Sequence, residues 1–133
     1  MIVKALVDYL ASNSSINTVV ADGGINENIN ESLNAYVLVS ELSNYGSARY
    51  ANATTTRIAV RACFPKDYQI DLDKYILFEL HTLLHKKILT VVNGDTETKV
   101  QLYVTSDISP VLHSNADGYI ARERIVLIPS IWR

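Results

Sequence analysis

The hydrophobic positions of this chain follow two periods, and the switches between them divide it into elements. From residue 2 to 12, Ile2, Val3, Leu6, Tyr9 and Leu10 recur at helical spacing, with Lys4 and Asp8 mostly on the other side. Ser12, Asn13, Ser14 and Ser15 end this short helix, because their side chains compete for backbone hydrogen bonds. Residues 14–34 are rich in Asn, Ser and Gly. There, Ile16 to Val20 predict a short edge strand, Asp22-Gly23-Gly24 a turn, and the polar stretch that follows a long loop. The run AYVLVSE at residues 35–41 is continuously apolar and β-branched, which predicts a strand buried on both faces. Residues 42–53 read as a second long loop or a hairpin tip.

Strict alternation then sets in. Over residues 54–62, Thr56, Ile58 and Val60 share one phase and Arg57, Ala59 and Arg61 the other, a half-buried strand with a basic outer face. Phe64-Pro65 stops it, since proline cannot donate into a ladder. A helix follows, with Asp67 or Asp71 as its cap and Asp73 adding negative charge to its first turn. Leu72, Ile76, Leu80, Leu83 and Leu84 form its stripe, and Tyr75, Leu77 and Phe78 widen it, so the helix is expected to pack on more than one side. His85, Lys86 and Lys87 sit at its C-terminal end, where positive charge is favoured. ILTVV and TKVQLYVTSDI then flank Asn93-Gly94-Asp95, a hairpin signal. Residues 106–118, with Pro110 and Asp117-Gly118, predict a third loop, and residues 119–128 a final strand that Pro129 ends or places at an edge. The expected fold is α+β: one domain over 1–133, its mixed, mostly antiparallel sheet packed by one short N-terminal helix and one long central helix.

Composition narrows the partners. A chain of 133 residues fits one domain and buries roughly two thirds of its unfolded surface. A net charge of −2 argues against a dedicated nucleic-acid binder, which shows a basic excess or stripe. The lone cysteine, Cys63, excludes an internal disulfide. Asp8 interrupts the apolar run at the N-terminus, which therefore reads as a helix rather than a signal peptide. No apolar run approaches the roughly 20 residues of a membrane span, so a soluble protein without a membrane partner is expected.

Few residues suggest chemistry. His81 and His85 lie one helical turn apart and would need His113 or Cys63 to complete a metal site. Thr82 follows His81, so HExxH is absent, and a polar helix end explains the pair more simply. Cys63 has Arg61 and Lys66 nearby in sequence to lower its pKa, but its apolar segment reads as core. Gly23-Gly24 matches no phosphate-binding loop. Arg122 and Arg124 share a strand face and would form a basic stripe with Arg57 and Arg61 if the sheet order allowed it. A surface salt-bridge lattice with Glu123 or Glu79 is the plainer reading. Tyr45, Arg49 and Tyr50 are residue types enriched at interface hot spots.

Taken in order, these elements resemble a family. A short N-terminal helix, AYVLVSE, a long polar loop, an alternating strand ending in RxxFP, a helix with LLH near its end, a hairpin and SPVLHSNADGYIARERIVL are similar to the tail terminator, or tail-completion, proteins of long-tailed bacteriophages, including those called minor capsid proteins. The resemblance covers nearly the whole chain and lies in pattern and order. It implies a mixed sheet flanked by helices, a homo-hexameric ring on the head-proximal end of the virion tail, and assembly in the host cytoplasm. The ring would stop polymerisation of the tail tube protein and present a surface to the head-completion or connector protein. DNA would pass through its lumen without specific binding, which a near-neutral charge suits. No enzyme activity and no cofactor are implied. Contacts are expected from the loop around Tyr45, Arg49 and Tyr50, from residues 106–118 with His113 and Asp117, and from Ile131, Trp132 and Arg133. The alternatives are a head–tail joining protein of the same neck and, in another class, a small α+β enzyme or metal-binding domain using Cys63, His81 and His85.

Overall fold

Two long strands, β3 (Ala53–Pro65) and β8 (Tyr119–Ile131), pair antiparallel along their whole length and form the spine of the main sheet. The computed structural model describes residues 2–13, 18–22, 35–46, 53–110, 112–113 and 118–131. Beside β3 lies β2 (Ala35–Gly46), antiparallel, and beyond it β1 (Thr18–Asp22), parallel to β2. On the far side of β8 lie β6 (Tyr103–Ile108) and, along a different part of β8, β7 (Leu112–His113). The order β1-β2-β3-β8-β6 makes this the mixed, mostly antiparallel α+β fold that the pattern predicts.

Alternation decides which face is covered. Thr56, Ile58, Val60, Ala62 and Phe64 of β3 are buried on one face, in register with Ile120, Val126 and Ile128 of β8. The helices pack there. Helix α1 (Ile2–Asn13) buries Val3, Leu6 and Leu10, each burial stabilising by roughly 2 kcal/mol, which a helix this short needs. Ser12 Oγ donates to Asp8 O at 2.9 Å and Asn13 Nδ2 to Tyr9 O at 2.8 Å, so these side chains do claim backbone acceptors at the helix end.

The central helical stretch runs from Lys66 to Leu84 and is not uniform. A 3₁₀ turn (Lys66–Tyr68) leads into α2 (Gln69–Lys74), then a π-helical turn (Tyr75–Glu79), then α3 (Leu80–Leu84). Leu72, Tyr75, Ile76, Leu80 and Leu84 are buried, as the stripe predicts. Phe78 is not: it is 68% exposed, so the stripe is narrower than expected. Neither Asp67 nor Asp71 caps a helix, because Pro65 and Tyr68 hold the N-cap positions without a side-chain bond. Tyr9 Oη donates to Leu83 O at 3.1 Å, and Lys87 Nζ lies 5.2 Å from the Tyr9 ring centroid, tying α1 to the end of α3.

The hairpin forms as expected, but its second arm is shorter. β4 (Ile88–Asn93) and β5 (Thr96–Gln101) make a separate two-stranded sheet. The run TKVQLYVTSDI is two strands, not one. Leu102, fully buried, divides β5 from β6, its N–H donating to Lys87 O and its carbonyl accepting from Lys86 N–H. Further corrections concern strand length. Leu42 to Gly46 are strand rather than loop, with a register shift between Glu41 and Ser43. In AYVLVSE, Val37 and Val39 are buried while Tyr36, Leu38 and Ser40 are only half-buried, since no described helix covers that face. Ser106–Ile108 and Leu112–His113 are strand within the expected third loop. β8 continues through Pro129 to Ile131, beyond its last residue paired with β6, where a missing N–H is tolerated.

Candidate functional site

The registers put the arginines on opposite faces, so no four-arginine stripe exists. Arg122 and Arg124 pair with Ala62 and Val60 on the helix side, whereas Arg57 and Arg61 alternate onto the other face of β3. Arg124 is 7% exposed and burial lowers its pKa from the usual arginine value. Its Nη1 donates to Ile76 O and Leu77 O, each at 2.9 Å, and its Nε to Thr105 O at 2.9 Å. A π turn shifts the bonding register of a helix, and here two carbonyls of that turn take an outside donor. Arg122 pairs with Asp73 at 3.0 Å and donates from Nε to Ser109 O at 3.1 Å. These arginines lock β8 to the helix and to β6; their partners are Asp73 and backbone carbonyls, not the expected Glu123 or Glu79.

The two histidines do meet. Their rings stack with centroids 4.5 Å apart and planes 23° from parallel. Stacked rings do not converge their nitrogens on one point, and His85 Nδ1 is already occupied, accepting from Val104 N–H at 3.1 Å. Burial first, then His81, Lys86 and Arg124, lower the His85 pKa. Cys63 is buried in the phase opposite to Phe64, away from the helices, so it does not join the histidine pair. Among the described residues no group of three His, Cys, Asp or Glu could hold a metal ion.

Two surfaces remain for binding. Along the helical stretch Tyr68, Ile70 and Phe78 are exposed, with Ile70 at 77%. Beside Phe78 runs an open groove of about 520 Å³ lined also by Asn13, Asp71, Lys74, Glu79, Thr82 and Leu83. The second surface is the sheet face without described helices. There Tyr36 and Tyr119 pair at 5.8 Å, and half-buried Leu38, Arg61, Glu123, Ile125 and Leu127 lie in neighbouring rows. Arg61 Nε on this face is buried without a hydrogen-bond partner.

Of the residues expected at contacts, Tyr45 falls in β2 and His113 in β7 by their backbone, and Ile131 ends β8. The side chains of these three, and Arg49, Tyr50, Asp117, Trp132 and Arg133 altogether, lie outside the described residues. Pattern reading placed Arg124 in a surface stripe or salt-bridge lattice and missed its burial. The available signal was its phase, shared with Ile120, Val126 and Ile128 of an otherwise apolar face. No family model matches this chain, and a search of curated proteins found no match to it either.

Proposed function

We propose that this chain is a tail terminator of a long-tailed bacteriophage, a ring subunit that caps the tail tube, stops its polymerisation and forms the interface to the head connector. The observation that supports this reading most is the order of elements. The stretches that carry the resemblance are real elements in the expected sequence: α1, AYVLVSE in β2, TRIAVRACFP in β3, a helical stretch with LLH at its end and His85 as the C-cap, a hairpin, and a long closing strand. Among the described residues the helices lie on one side of the sheet, which leaves the other side for neighbours. A ring needs heterologous contacts that close by rotation, so two different surfaces of one subunit must serve. The exposed ridge of Ile70 and Phe78 and the sheet face that no described helix covers are two such surfaces. The reading is tested by deleting the chain from its phage and imaging the particles. Tails of uncontrolled length, unjoined to heads, are expected; tails of normal length joined to heads would contradict it.

A further inference from the structure

The hairpin carries an edge strand, approached by α1, that has no charge, proline or bulge of its own. Proteins protect exposed strand edges with charges, prolines or bulges. β5 has Glu97 and Lys99, and β6 has Asp107 and a register irregularity between Val104 and Ile108. β4, Ile88–Asn93, has neither charge nor proline, and β5 is its one paired neighbour among the described residues. Ile88 and Val92 are each 57% exposed and Thr90 is exposed between them.

Which backbone groups are free follows from the register. Leu102 N–H donates to Lys87 O, so Lys87, and by alternation Leu89, Val91 and Asn93, direct their polar groups at β5. Ile88, Thr90 and Val92 therefore direct theirs outward. We infer that this edge pairs antiparallel with the β4 edge of a second copy of the chain, about a two-fold axis at Thr90.

The segment is self-complementary in that register. Ile88 falls opposite Val92 of the second copy, Thr90 opposite Thr90, and Val92 opposite Ile88. All three are the residues whose N–H and C=O point outward. Directly opposite residues share a face, so the exposed Ile and Val side chains of the two copies join into one apolar row, while Leu89 meets Val91 on the buried side. A one-residue slip would set outward-facing groups against inward-facing ones. The same register brings Lys86 and Lys87 of each copy beside the Gly94-Asp95 turn of the other. Lys86 and Asp95 are exposed and have no ion pair within their own chain among the described residues. Such surface pairs add little affinity but set orientation. The result is a four-stranded sheet in place of two isolated hairpins, which are marginal alone. An interface this small gives a concentration-dependent dimer. The contact is isologous and closes at two copies. It is thus separate from the heterologous contact of a ring, and it stands without the tail-terminator reading.

Light scattering across a concentration series, with three variants of the full chain, tests this. The wild-type mass should rise from 14.8 kDa toward twice that value. Val92→Lys, which sets a cation against Ile88 of the second copy, and Thr90→Pro, which removes an outward N–H while leaving the hairpin bonds, should both hold it at the chain mass. Thr90→Cys should form a disulfide-linked dimer on mild oxidation, since paired positions lie within bridging distance and Cys63 is buried. The exposed control Glu97→Cys should not. A wild-type mass that stays at one chain, a higher mass that neither Val92→Lys nor Thr90→Pro lowers, or Thr90→Cys linking no better than Glu97→Cys would overturn the pairing.

Discussion

Arg124 is a buried cation held by three carbonyl oxygens, with no carboxylate within ion-pair distance among the described residues. Truncation strands those acceptors where water does not reach, so Arg124→Ala should cost about 3 kcal/mol in urea unfolding. Arg124→Lys should recover less than half of this, because one ammonium lacks the planar fork that reaches both the π turn and Thr105. Tyr75, packed 6.0 Å from the Phe64 ring, presents the opposite case. Its hydroxyl is buried without a partner, and burial, followed by Glu79, raises its pKa. Tyr75→Phe removes an unsatisfied group and should leave stability unchanged or raise it by up to about 1 kcal/mol, measured in the same way. His85 gives a pH dependence of definite sign. Its folded pKa lies below the free imidazole value of about 6.5, so the unfolded chain takes up the proton first. The stabilisation from the bond to Val104 is present above about pH 6.5 and lost as pH falls toward the folded pKa. Melting temperature should drop over that window in the wild type and drop less steeply in His85→Ala.

At the scale of elements, the hairpin turn rests on backbone geometry. Asn93 pairs with Thr96, so Gly94 and Asp95 are the central residues, and Gly94 has φ +62°. Gly94→Val forces a β-branched residue into the left-handed region and should cost about 1–2 kcal/mol by thermal unfolding, although open space surrounds the site. This turn was legible in the sequence because its signal is local. So were α1, the alternation of β3 and the stripe of Leu72, Ile76, Leu80 and Leu84, each set by the spacing of neighbours along the chain. The division of TKVQLYVTSDI was not. Alternation runs unbroken through Val100, Leu102 and Val104, and only the tertiary bonds of Leu102 with Lys86 and Lys87 send the two halves to different sheets. The role of Arg124 was hidden for the same reason. Its phase was readable, but the helix facing it was not, and neither was the π turn that offers its carbonyls.

For the whole molecule, the helices and the hairpin lie on the side of the sheet that holds the core, and the opposite face is a mixture of tyrosine, aliphatic side chains, arginine and glutamate. Among the described residues no helix is long and apolar enough to cross a membrane. The mixed, mostly antiparallel sheet was foreseeable from periodicity, but its strand order was not, because pairing between distant strands leaves no local signal; nor were the contact residues, because Tyr45, Arg49, Tyr50 and Trp132 were singled out by residue type, which carries no position in space. Under the proposed function, this surface halts a growing tail tube. The most direct measurement is electron microscopy of the tail tube protein polymerised with and without this chain. Tubes halted in length, with a sixfold ring at one end, are predicted. Tubes of the same length distribution in both preparations, with neither end decorated, would contradict the account.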